Sequence, residues 1–123
     1  LMGYGSRAAV EILDAKISPQ KVREGGHVRL GCRIRSTAKH SQSLLIDFVV
    51  HYVKANGATR PKVFKLTQVD LGLGETLEVS KKLSLAPMTT RRHYSGIHKV
   101  ELLINGQSFP LGSFTLHSDA TAP

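Results

Sequence analysis

Apolar residues in this chain recur at every second position, and this period is the feature that most limits what the chain can fold into. In the clearest segment four apolar residues alternate with arginines: Val28, Leu30, Cys32 and Ile34 against Arg29, Arg33 and Arg35. A period of two places successive side chains on opposite faces of a β-strand. No stretch shows the i, i+3, i+4, i+7 spacing of an amphipathic helix. The chain is therefore predicted to be all-β.

Turn signals divide the chain into about seven strands. Asn56-Gly57 and Asn105-Gly106 are typical of tight hairpins, and Ser18-Pro19 ends the first strand because proline cannot donate to a ladder. The segment from Leu44 to Lys54 is apolar on both faces, which indicates a central strand. Short antiparallel strands at this spacing predict an immunoglobulin-like Greek-key sandwich. A barrel with a similar strand count is the structural alternative.

The chain length of 123 residues suits one domain. We expect the sandwich to occupy residues 8–117, with 1–7 as the end of an interdomain linker and 118–123 as a disordered tail. The first five residues lack the basic and apolar regions of a secretory signal, and a natural chain does not normally begin with Leu1. We therefore expect a piece of a longer protein. No run approaches the roughly 20 apolar residues of a membrane span.

Cys32 is the single cysteine, so an intramolecular disulfide cannot form. Nothing in the cysteine content indicates an oxidising compartment, and a cytoplasmic location is favoured. Core packing must then hold the sheets together without a disulfide.

A net charge of +8 favours a polyanionic partner, because such a field concentrates phosphate backbones near the surface. The alternative is that basic residues only keep a small domain soluble. If seven strands alternate in direction, the odd-numbered connections all lie at one end. That end collects Lys21 and Arg23, with Glu24 as its only nearby acid. The predicted DNA-binding residues there are Lys54, Asn56, Arg60, Lys62, Thr90, Arg91, Arg92 and His93.

These residue types suit phosphate oxygens. Arginine offers bidentate hydrogen bonds, and threonine hydroxyls and free backbone N–H groups add single ones, none of which reads base sequence. Gly57 lets the backbone approach a ligand closely.

Each basic group also has a purely structural interpretation. Arg91 and Arg92 suit a solvated loop or capped loop carbonyls. Lys81 and Lys82 suit protection of a strand edge against aggregation. The row Arg29, Arg33 and Arg35 is best explained as a solvated sheet face.

No motif for catalysis or for a cofactor is present. The six histidines lack metal-ligand spacing, and neither a nucleophile elbow nor a phosphate-binding loop occurs. Asp47 is the one carboxylate between apolar neighbours, and a structural Arg or His partner is expected for it. We expect a domain that is not an enzyme by itself, with no metal, no cofactor and no small-molecule substrate.

Four segments resemble a known family. They are residues 45–57 (LIDFVVHYVKANG), 61–66 (PKVFKL), 89–96 (TTRRHYSG) and 105–106 (NG). They resemble the C-terminal immunoglobulin-like domain of bacterial DNA alkylation repair glycosylases of the AlkC type, and the likeness spans most of residues 10–116.

This resemblance implies a parent enzyme whose preceding helical-repeat domain removes alkylated purines. The sandwich would then help to hold duplex DNA, and the family's catalytic acid has no counterpart in this chain. Duplex DNA and the helical-repeat domain are the implied partners. The alternative function is a protein-interaction or spacer module, which would expose a contiguous apolar patch.

Overall fold

The computed structural model describes residues 8–87 and 92–118, and every regular element within these ranges is a β-strand. The strands are β1 (Val10–Ser18), β2 (Lys21–Arg23), β3 (His27–Ser36), β4 (Gln42–Val53), β5 (Thr59–Leu71), β6 (Thr76–Ser84), β7 (Gly96–Ile104) and β8 (Gln107–His117). No helix that could span a membrane occurs in these two ranges.

The strands form two facing sheets. A three-stranded sheet has the order β1-β3-β6, and a five-stranded sheet has the order β2-β8-β7-β4-β5. Pairing is antiparallel throughout, except that β2 runs parallel to β8. Two separate sheets exclude the barrel and confirm the predicted sandwich, which has no disulfide.

The eighth strand arises where the first one changes sheet. β1 pairs with β3 as far as Ser18, and Pro19 cannot continue the ladder. The chain then crosses to the other sheet, where Gln20 accepts a hydrogen bond from the Thr115 amide at 2.7 Å. β2 follows beside β8. The first predicted strand is thus divided between the two sheets, while the alternation of the other strands is retained.

The core lies between the inner faces of the two sheets. Leu30 and Ile34 from β3 belong to the same buried cluster as Phe48 from β4 and Leu102 from β7, and all four are 0% exposed. The arginines that alternate with the β3 core residues are exposed. The predicted division of β3 into a core face and a solvent face is therefore confirmed.

β4 is flanked by β7 and β5, as its apolar residues on both faces predict. Val49 lies on the outer face of the five-stranded sheet and is nevertheless only 5% exposed. Val63 of β5 lies directly opposite it, and such a cross-strand pair shields apolar surface from water.

Cys32 packs in the core, and burial raises the pKa of its thiol to about 11. The thiol is therefore protonated at neutral pH, and Cys32 acts as a small apolar core residue.

Three connections meet at one end of the sandwich, as alternating strand directions predict. Gly25 donates its amide hydrogen to the carbonyl of Leu85 at 2.8 Å, which joins the turn before β3 to the end of β6. Gly96, at the start of β7, has φ +148° and packs against the end of β4 so closely that a Cβ would lie 2.9 Å from Val53 Cγ2. We call this end, with the turn at 24–26, the β4–β5 hairpin at 54–58 and the β6–β7 connection, the cationic end.

The predicted tail begins one residue too early. Ser118 is buried, its amide donates to Ser95 Oγ at 2.7 Å and its hydroxyl donates to Glu24 Oε1 at 2.7 Å. These bonds make Ser118 part of the packed body. The predicted linker at 1–7 and the remaining tail residues 119–123 lie outside the described residues.

Candidate nucleic-acid interface

The β4–β5 hairpin presents exposed donors at the tip of the cationic end. The Lys54 carbonyl accepts the Gly57 amide at 2.9 Å, and the Lys54 amide donates to Ala58 O at 2.7 Å. Gly57 has φ +84°, a conformation that favours glycine. Asn56 Oδ1 accepts the Ala58 amide at 3.0 Å, which leaves the side-chain NH₂ of Asn56 as an outward donor. Lys54 and Asn56 are exposed.

Arg60 and Lys62 continue this surface along β5. Both are exposed, and the register pairs Arg60 with Tyr52 and Lys62 with Val50. Tyr52 and Val50 are core residues. The two cations therefore extend from the core side of an edge strand rather than from the outer face of the sheet.

Tyr52 joins the hairpin to the β6–β7 connection. Its ring centroid lies 5.8 Å from that of His93, and Tyr52 is the cross-strand neighbour of Arg60. Arg92, next to His93 in sequence, is exposed. The fold thus brings Arg92 to the end of the sandwich that carries Lys54 and Arg60.

His93, one of the predicted DNA-binding residues, is buried and does not share the exposure of Arg92. His93 is 1% exposed, and its Nε2 donates to the carbonyl of Ala86 at 3.0 Å. A side chain buried in this way anchors the connection and cannot reach a phosphate. Thr90 and Arg91, the other predicted residues of this segment, lie outside the described residues.

The cations of this surface take no part in the ion pairs of the described part of the chain. Within residues 8–87 and 92–118, none of Lys54, Arg60, Lys62 and Arg92 forms an ion pair. Glu24, the acid expected nearby, instead accepts the Ser118 hydroxyl.

Lys21 and Arg23 belong to a different side of the same end. They lie on β2, which is separated from β5 by the other three strands of the five-stranded sheet. Four strand spacings correspond to about 19 Å. The cations predicted for this end thus divide into two groups, and the hairpin group is the larger.

The arginines of β3 match the interpretation as a solvated sheet face. Arg33 Nε lies 3.3 Å from Asp14 Oδ2, and Arg35 lies 3.9 Å from Glu11 Oε1. Two of the three arginines therefore have acidic partners on the neighbouring strand β1.

A buried histidine, His98, packs against Tyr52 beneath the surface of the cationic end. Its ring stacks on Phe114 at 5.0 Å and meets Tyr52 edge-on at 5.6 Å. Nδ1 lies 3.1 Å from the Gly96 carbonyl, which can only accept, so Nδ1 carries the proton. Nε2 is buried and has no hydrogen-bond partner within the described part of the chain. Burial is the main reason that the pKa of His98 lies below its ordinary value.

The depressed pKa of His98 predicts acid sensitivity. Above about pH 6.5 the ring is neutral in both the folded and the unfolded chain. Below that pH the unfolded chain gains a proton that the folded chain excludes, so the free energy of unfolding falls. We expect the urea midpoint to be lower at pH 5.5 than at pH 7.5. A His98→Phe variant should lose most of this difference, whereas a His40→Gln variant at an exposed position should keep it. Equal pH dependence in the two variants would contradict the assignment.

A polar cluster on the outer face of the five-stranded sheet was not apparent from the sequence. His51 Nε2 lies 3.0 Å from Glu101 Oε2, and Ser108 donates its hydroxyl to Glu101 Oε1. The bond from Ser108 is the main cause of a lowered Glu101 pKa, and His51 adds to it. The carboxylate lies between hydroxyl and imidazole, whereas a catalytic triad needs the imidazole between the other two.

Among the residues that the structure describes, no Arg or His forms an ion pair with Asp47, unlike the prediction. Its Oδ1 is buried and makes no hydrogen bond to any residue that the structure describes. The described residues also contain no group of three or more His, Cys, Asp or Glu side chains that could hold a metal ion.

Val63, one of four exposed large apolar residues in the described part of the chain, lies beside a charged pair. Val63 and Ile97 are 48% and 60% exposed, and both lie on strands of the five-stranded sheet. In the register of β4 and β5, the pair Val49–Val63 follows the pair Asp47–Lys65 on the same face. A contiguous apolar patch, the mark of the protein-interaction alternative, is not formed there.

A family model matches almost the whole sandwich. The C-terminal Ig-like domain of the uncharacterised protein YhaZ matches residues 11–118. The uncharacterized protein YhaZ of Bacillus subtilis (strain 168) is 31% identical over 107 residues. That alignment covers 87% of this chain and 29% of the Bacillus protein.

Solved structures of similar proteins include one from a DNA glycosylase. The Pseudomonas fluorescens alkylpurine DNA glycosylase AlkC, bound to DNA containing an abasic site analog, is 37% identical with a TM-score of 0.87. The alignment covers 94% of this chain and 32% of that glycosylase, so the chain spans less than a third of either relative. A β-glucosidase from Listeria innocua, at 14% identity and a TM-score of 0.66, shares the fold alone. The predicted resemblance is confirmed, and the chain belongs to the family of YhaZ C-terminal Ig-like domains.

Proposed function

We propose that this domain is a non-catalytic accessory module of a DNA alkylation repair protein in the cytoplasm, and that it grips the phosphate backbone of duplex DNA without sequence specificity. The proposed contacts are Lys54, Asn56, Arg60, Lys62 and Arg92, together with Thr90 and Arg91. A preceding helical-repeat domain is the proposed partner within the longer chain.

One observation carries the proposal: exposed cations from the β4–β5 hairpin and the β6–β7 connection lie at one end of the fold without ion pairs among the described residues. Cations that are not neutralised within the protein remain available to phosphates. The similarity to a glycosylase bound to DNA supports the same partner.

Salt dependence tests the proposal. Three to five phosphate contacts should make the affinity for duplex DNA fall on the order of a hundredfold between about 50 and 200 mM salt. Fluorescence anisotropy with two labelled duplexes of unrelated sequence would measure it, and the two affinities should agree. Binding that is indifferent to salt, or no binding at about 50 mM salt, would contradict the proposal.

A further inference from the structure

The two sheets leave one side of the sandwich bounded by their edge strands β5 and β6. On β6, the register pairs Lys81 with the core residue Leu30, and Lys81 lies between the buried residues Val79 and Leu83. Lys81 therefore lies on the core-facing side of its sheet. Its half-buried side chain reaches the opening between the sheets.

Across this opening Lys81 meets Phe64 of β5. Lys81 Nζ lies 4.9 Å from the centroid of the Phe64 ring, and Lys62 Nζ lies 5.7 Å from the same centroid. Both distances are within the range of a cation–π contact. The ring therefore holds two ammonium groups, one from each sheet. We call this group, Lys62, Phe64 and Lys81, the lysine–phenylalanine edge.

The arrangement leaves positive charge in excess. Two ammonium groups around one ring repel each other, and neither forms an ion pair within the ranges that the structure describes. The ring quadrupole offsets only part of this repulsion. A phosphate backbone would neutralise both groups and release their counterions.

We infer that the lysine–phenylalanine edge is a second contact for the DNA backbone, continuous with the cationic end through Arg60. The inference rests on the proposed function and adds to it the path that the DNA backbone takes along the domain. The DNA backbone leaves the tip of the sandwich and follows the β5–β6 side, away from β1 and β2. Lys81 then becomes a DNA contact although it lies on a different sheet from the hairpin.

The competing explanation is that inward-pointing lysines only block edge-to-edge aggregation. The chain offers a matched control, because each strand carries a second lysine on its other face. Lys65 lies opposite Asp47 in the β4–β5 register, on the outer face of one sheet. Lys82 lies opposite Arg29 in the β3–β6 register, on the outer face of the other.

The test compares two single variants of the 123-residue chain, because Lys62 is already a contact in the proposed function and Lys81 is the cation that the inference adds. The edge variant, Lys81→Gln, removes the added charge, and the control variant, Lys82→Gln, removes one charge from the outer face of the same strand. Affinity for a labelled duplex is measured by anisotropy at several salt concentrations, and sedimentation velocity reports self-association. We expect the edge variant to bind about fivefold more weakly, with a salt dependence shallower by about one phosphate equivalent, and the control variant to bind within about twofold of the parent.

A third variant, Phe64→Leu, keeps both charges and should lower the affinity about threefold by removing the ring that positions them. Because Phe64→Leu keeps both lysines, it tests whether the edge contacts DNA even if the edge variant self-associates. If the parent chain binds DNA and the edge and control variants weaken it equally, or Phe64→Leu binds like the parent, the inference is overturned and the proposed function stands. If the parent chain itself fails to bind, both are overturned.

Discussion

Reversing three charges at the cationic end, with Lys54→Glu, Arg60→Glu and Arg92→Glu, is expected to weaken duplex binding by at least about a hundredfold at roughly 100 mM salt. Each substitution removes one proposed phosphate contact and adds a negative charge that repels the backbone. The salt dependence should become shallower by about three phosphate equivalents. Anisotropy titrations at several salt concentrations would measure both effects.

The matched control is the triple variant Lys16→Glu, Arg29→Glu and Lys39→Glu. These positions are exposed and form no ion pair within the described residues, and the change in net charge is the same. We expect it to lower affinity far less, because only the long-range field is weakened. If both triple variants lost affinity equally, net charge rather than the cationic end would explain binding.

Phe114→Ala is expected to reduce the free energy of unfolding by about 3–5 kcal/mol. Phe114 is 1% exposed, lies opposite His98 in the ladder and stacks on its ring. Truncation would leave a cavity in the core beside the His98 ring. Because a domain of this kind is stabilised by roughly 5–15 kcal/mol in total, much of its stability would be lost. Urea unfolding followed by circular dichroism would measure the change.

Phe109→Ala is the comparison on the same strand. Phe109 is only half-buried at the edge of the core, so its truncation should cost clearly less than that of Phe114. Equal losses at the two positions would show that the stack on His98 is not a principal packing contact.

The sequence predicts the sandwich because its strongest signals are local. The alternation in β3 identifies the buried face without knowledge of any partner strand, and the two apolar faces of β4 indicate its flanked position. β2 was missed because three residues with one half-buried valine, Val22, contain too little periodicity to be recognised. The crossing at Pro19 is visible only when β8 is placed beside it.

The candidate site is predictable where exposure follows from position in a turn, and not where it depends on distant contacts. Lys54 and Arg92 are exposed, as polar connections usually are. His93 stands beside arginines in sequence, but its burial depends on Tyr52 and Ala86. Lys81 is two positions from both Val79 and Leu83, so the alternation of a strand already predicts that it faces the core. That it meets Phe64 follows only from the order of strands in two sheets.

The buried, protonated thiol of Cys32 has a further consequence for the conditions under which the domain persists. No disulfide joins its two layers, since Cys32 is the single cysteine of the chain. Reductants have no cross-link to cleave, and maturation needs no oxidant. The same folded state is therefore available wherever thiols are kept reduced.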